Sequence, residues 1–87
     1  IIEEAPGPGI DRKKIQGVAE GAARLVKQAE YAGAATVEFL MDDQQNFYML
    51  EVNTRVQVEH PVTEAITGID IVKQSILIAA GEPLPFK

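Results

Sequence analysis

The sequence predicts an α/β fold of the α+β kind, a small antiparallel sheet covered by two long helices. Three observations carry this. Residues 12–32 and 69–80 repeat apolar side chains at helical spacing. Residues 36–41 and 46–52 are rich in β-forming side chains. Only the polar run Asp42-Asp43-Gln44-Gln45 separates those two segments, which is hairpin spacing. With 87 residues the chain is one small domain or a segment of a larger one.

In chain order, residues 1–4 read as the end of a strand. Ala5-Pro6-Gly7-Pro8-Gly9 is a loop, because two prolines and two glycines exclude helix and ladder alike. Asp11 is placed to cap the first helix. That helix carries Ile15, Val18, Ala19, Ala22, Leu25, Val26 and Ala29 on one stripe, and Gly33 is expected to stop it. The hairpin follows, with Gln44-Gln45 as its two-residue loop. Residues 53–59 continue extended. His60-Pro61 opens a short helix that Gly68 ends. The last helix buries Ile69, Val72, Ile76 and Ala79/Ala80, and Gly81 caps it. Tyr31, Phe39, Phe47, Tyr48 and Phe86 read as core.

Composition excludes several functions. Thirteen acidic residues against eight basic ones give a net charge of −5, with no Lys/Arg cluster to hold nucleic acid or an anionic membrane. No cysteine is present, so disulfides, thiolate metal sites and cysteine nucleophiles are out. No apolar run approaches the roughly 20 residues that span a bilayer. The chain begins with Ile rather than Met and is expected to be part of a longer protein.

A hairpin with Gln44-Gln45 at its tip pairs Asp43 with Asn46 and sets Glu38 opposite Glu51. Facing carboxylates repel unless a proton or a cation lies between them. Mg²⁺ characteristically takes one or two carboxylates plus substrate phosphates, and Asn53 offers a third oxygen two residues beyond Glu51. The alternative is that both glutamates are solvated. Beyond them, Glu51, Asn53, Arg55, Gln57 and Glu59 alternate with Val52, Thr54, Val56 and Val58. An extended chain would put the polar row on one face and the valines on the core side. Arg55 has the planar fork that grips a small anion at two points, with Glu59 within reach as a general base. A salt-bridged surface strand is the competing interpretation. His60 reads as a cap of the short helix, and Thr63, Glu64 and Asp70 as helix-end residues.

The run Glu51-Val52-Asn53-Thr54-Arg55-Val56-Gln57-Val58-Glu59-His60-Pro61-Val62-Thr63-Glu64 resembles the signature of biotin carboxylases. Thr36-Val37-Glu38-Phe39-Leu40, Ile1-Ile2-Glu3-Glu4-Ala5-Pro6, Thr67-Gly68-Ile69-Asp70 and Ala79-Ala80-Gly81 match the same family in the same order. The resemblance implies the C-terminal half of an ATP-grasp core. It implies a ligase that uses ATP and bicarbonate, through carboxyphosphate, to carboxylate biotin on a carrier domain. Glu38 and Glu51 would hold Mg²⁺ or Mn²⁺ on the ATP phosphates, with Asn53 as a further ligand. Arg55, Gln57 and the backbone of Val58 would contact bicarbonate. Arg55 and Glu59 would be catalytic, Glu59 as the base and Arg55 as the charge that stabilises the biotin enolate. Thr54 and Pro61-Val62 resemble the acyl-CoA carboxylase branch more than pyruvate carboxylase. The family's partners would be a carboxyltransferase and a second copy of the chain, in the cytoplasm or the mitochondrial matrix.

The family's glycine-rich ATP-covering loop and phosphate-binding lysines do not occur in these 87 residues. The isolated chain is therefore expected to be inactive. The alternatives are a non-catalytic fragment that folds or self-associates, or part of a pyruvate carboxylase or another ATP-grasp ligase.

Overall fold

A computed structural model of the chain describes residues 2–86. The elements run α1 (Arg12–Gln28), β1 (Thr36–Met41), β2 (Phe47–Asn53), α2 (His60–Thr67) and α3 (Ile71–Ala79). The two strands form one sheet. The expected α/β class is therefore observed. Residue 1 lies outside the described residues, and residues 2–4 are not a strand. Ile2 is 90% exposed, with no sheet edge claiming it. The described residues divide into two compact units, one of 7–31 with 37–52 and one of 2–6, 32–36 and 53–86.

In the first unit, the Asp11 side chain accepts from the Lys13 N–H at 2.9 Å, as a helix N-cap does. Ile15, Val18, Ala22 and Val26 are the half-buried stripe of α1, four of the seven positions expected. The helix ends well before Gly33. Glu30 adopts φ +57, its N–H donates to the Lys27 carbonyl at 3.0 Å, and the Tyr31 N–H donates to the Val26 carbonyl at 3.3 Å. These are the paired bonds of a Schellman cap with a glutamate where glycine is usual. Nothing in the sequence marks that stop. A left-handed non-glycine residue costs roughly 1–2 kcal/mol, part of which glycine returns as unfolded-state entropy. Glu30→Gly should therefore stabilise the protein by about 0.5–1 kcal/mol, read as a higher thermal midpoint. A lower midpoint would mean that the Glu30 side chain contributes more than its backbone costs.

The hairpin closes one residue away from the expected register. The Gln45 N–H donates to the Asp42 carbonyl at 3.0 Å, and the Asp42 N–H donates to the Asn46 carbonyl at 3.1 Å. Asp42 therefore pairs with Asn46 around a three-residue loop, and Gln45 sits at φ +61 where such loops usually place glycine. Side-chain bonds hold it there. Gln45 Oε1 accepts from the Asp11 N–H at 3.0 Å, and its Nε2 donates to the Gly9 carbonyl at 3.2 Å. Lys14 Nζ adds bonds to the Gln44 and Gln45 carbonyls at 3.2 and 3.4 Å. The tip is thus tied to the start of α1.

Asp42 organises the turn. Its carboxylate accepts from the N–H groups of Gln44 and Asn46 at 3.0 and 2.9 Å, from Asn46 Nδ2 at 3.1 Å and from the Tyr48 hydroxyl at 3.4 Å. These bonds, the Asn46 backbone N–H first, hold its pKa below the ordinary value of 3.8. A lowered folded-state value means stabilisation that is present above pH 3.8 and lost as pH falls through the folded value. The stability gap between wild type and Asp42→Ala should therefore be flat near neutrality and shrink on acidification below that pH. A gap that grows on acidification would contradict this.

Phe39 and Phe47 meet edge to face, with ring centroids 6.4 Å apart. No hydrophobic residue is fully buried among the described residues. Tyr48 is 57% exposed and Phe86 40%, so the core assignment fails for them. A two-stranded hairpin with one helix has too few layers to enclose its side chains.

In the second unit, α2 runs from His60 to Thr67 with Pro61 in its first turn. It ends at Gly68, φ +72, as the sequence indicates. Asp70 caps α3 by accepting from the Lys73 N–H at 3.0 Å, and Gly81 at φ +91 closes it. The expected buried stripe of α3 is rotated. Val72 and Ile76 are exposed, whereas Ile71, Gln74, Ser75 and Ile78 are half-buried. Apolar residues occupy most of this helix, so periodicity alone did not choose a face.

Candidate functional site

The segment after β2 positions the site, and it is not a strand. β2 ends at Asn53, the chain bends at Arg55, and a turn spans Gln57 to His60. The Gln57 carbonyl accepts from the His60 N–H at 3.2 Å, and Glu59 takes φ −83, ψ 1, the usual geometry of a third turn residue. The expected face of valines is therefore overturned. Val56 is 41% exposed and Val58 90%, because the turn swings them outward.

The turn still gathers the polar residues. Arg55, Gln57 and Glu59 line one pocket of about 180 Å³. His60 and Thr63 from the start of α2 and Ile71 from the start of α3 complete one wall, with Val56 beside them. Ala34, Ala35 and Thr36 form the other. This volume suits a small anion or a few waters and falls short of the roughly 300 Å³ and more of pockets for drug-sized ligands. Arg55 is the only lysine or arginine among the lining residues. Its guanidinium is exposed and makes one long bond, from Nη1 to the Val56 carbonyl at 3.4 Å. Gln57 Oε1 is buried without a hydrogen-bond partner. A buried acceptor left unpaired costs about 1–3 kcal/mol.

Val58 is not among the lining residues. Thr63 and the small residues Ala34 and Ala35 were missed by sequence reasoning. The run Gly33-Ala34-Ala35 was the available signal, since small side chains let another segment approach closely.

Glu38 is half-buried on β1 and Glu51 exposed on β2. The observed closure, continued along a regular ladder, pairs Glu38 with Leu50 and Glu51 with Val37. The two-residue loop from which direct opposition was expected is therefore not the loop observed. For both to share a face, β2 must gain one residue on β1 through a bulge. Among the described residues no group of three or more His, Cys, Asp or Glu side chains could hold a metal. Two glutamates and the Asn53 amide remain an all-oxygen donor set of the type a hard cation takes. No helix of the described residues is long and apolar enough to cross a membrane.

Residues 1–87 match the family described as carbamoyl-phosphate synthase L chain, ATP binding domain. The chain is 58% identical over 85 residues to the rat mitochondrial methylcrotonoyl-CoA carboxylase subunit alpha, covering 98% of this chain and 12% of that protein. It is 54% identical over 87 residues to a biotin carboxylase of Allochromatium vinosum, covering 100% of this chain and 19% of the relative. Among solved structures it resembles the biotin carboxylase domain dimer of the Hydrogenobacter thermophilus 2-oxoglutarate carboxylase, in complex with ADP, its magnesium salt and bicarbonate. That likeness has a TM-score of 0.91 and 44% identity over 95% of this chain and 18% of the other.

Proposed function

Because this chain belongs to the ATP-binding domain family of the carbamoyl-phosphate synthase large chain, we propose that it is the bicarbonate-binding segment of a biotin carboxylase. The parent is an ATP-dependent ligase, similar to those of acyl-CoA carboxylases. One observation carries the proposal: Arg55, Glu59 and Gln57, whose Oε1 is buried and unpartnered, line one small pocket. Bicarbonate is a compact anion with one O–H. Its charge suits Arg55, and its one O–H carries the proton that Glu59 can take.

The residues divide the work. Arg55 binds bicarbonate and then balances the negative charge that develops on biotin as its enolate. Gln57 orients the anion, and the Val58 backbone borders it. Glu59 is the base that takes the bicarbonate proton, so that an oxygen can attack the terminal phosphorus of ATP with ADP leaving. The carboxyphosphate formed then delivers its carboxyl group to biotin on a carrier domain and releases phosphate. Glu38 and Glu51, with Asn53, would hold Mg²⁺ or Mn²⁺ against the ATP phosphates; this assignment rests on donor chemistry and the family, not on strand pairing. A bound divalent ion there would neutralise phosphate charge. The remaining partners are a carboxyltransferase and a second copy of the carboxylase, in the cytoplasm or mitochondrial matrix.

A coupled assay with ATP, bicarbonate and free biotin tests this. The full-length protein carrying the segment should release ADP only when both co-substrates are present, and the 87-residue chain alone should not turn over. ADP release that ignores bicarbonate would refute the proposal.

A further inference from the structure

We propose that His60 is a positioning residue for this pocket: its imidazole clamps the Gln57 carbonyl and so fixes the turn that presents Gln57 and Glu59. The proposal rests on the pocket being the bicarbonate site. The Gln57 carbonyl receives two donors from the same residue, the His60 N–H at 3.2 Å and the ring Nδ1 at 2.6 Å. A carbonyl oxygen can only accept, so Nδ1 carries the proton. The backbone bond defines the turn, and the ring bond braces it from the side. On the far side of the ring, Nε2 lies 3.9 Å from Glu64 Oε2. The same carboxylate oxygen accepts from the Ile71 N–H at 2.9 Å, at the first residue of α3. The ring thus stands between the turn and an anchor shared by α2 and α3. Glu59 is adjacent in the chain to this clamp and makes no side-chain capping bond of its own. The aim of its carboxylate therefore depends on the backbone that His60 holds.

The geometry separates His60 from an ordinary helix-end residue in a testable way. The side-chain nitrogen of asparagine falls near the place of Nδ1, and that of glutamine near the place of Nε2. The full-length protein with His60→Ala, His60→Asn and His60→Gln is assayed for the KM of bicarbonate and the KM of ATP. Misplacing a reacting group by about 1 Å can cost about 10²-fold. The bicarbonate KM should rise roughly 10- to 100-fold in His60→Ala and His60→Gln and stay within about threefold of wild type in His60→Asn. The KM for ATP should be unchanged in all three. Asparagine performing no better than glutamine overturns the proposal, and this contrast decides even if His60→Ala fails to fold. An ATP KM that rises in step with the bicarbonate KM also overturns it. Arg55→Ala serves as the reference. If that variant leaves the bicarbonate KM unchanged, the pocket assignment itself fails and the His60 proposal with it. If Arg55→Ala raises the KM and His60→Ala does not, only the His60 proposal fails.

Discussion

Arg55→Ala is expected to lower biotin carboxylation by about 10²–10³-fold with little change in thermal stability. The size follows from removing one fixed charge from the place where negative charge develops. The unchanged stability follows from position. Arg55 is exposed and its side chain makes a long bond to its neighbour's carbonyl, so truncation removes little packing. Lysine should rescue poorly, because a point charge lacks the two-point fork. Turnover within about threefold of wild type would remove Arg55 from the mechanism. A large fall in melting temperature would make its role structural instead.

Glu59→Gln should be comparably severe, in the range of about 10²–10⁴ expected for losing a general base. The substitution keeps the side-chain volume and deletes only the ability to take a proton. Glu59 occupies the N-cap position of α2 without a capping bond from its side chain, so helix α2 should persist in the variant. Circular dichroism and turnover, measured on the same preparation, separate the two effects. Helix loss accompanying the activity loss would mean that Glu59 holds the fold, and full activity would transfer the base to another group.

The order of elements was legible because each long element carries a local mark. Asp11 and Asp70 cap their helices, and Gly68 and Gly81 end theirs. Two of the misread positions are those where a residue other than glycine takes a left-handed conformation. Glu30 ends α1 and Gln45 turns the hairpin, both in left-handed conformations that the sequence does not announce. The second of these moved the strand register by one residue, which is enough to separate a directly facing pair. The polar row from Arg55 to Glu59 was legible for a different reason than its alternation. Its residues meet in a pocket because a turn brings them there, and that turn depends on His60, whose side-chain partner is three residues back in the chain rather than across a face.

Titration of ¹³C-labelled bicarbonate against the full-length protein, followed by NMR line broadening, tests the central claim most directly. Wild type should broaden the bicarbonate signal in a saturable way. Arg55→Ala should abolish the effect, and Gln57→Leu should weaken binding about tenfold, the equivalent of one hydrogen bond to a charged group. Equal saturable broadening by wild type and both variants would contradict the assignment of this pocket to bicarbonate.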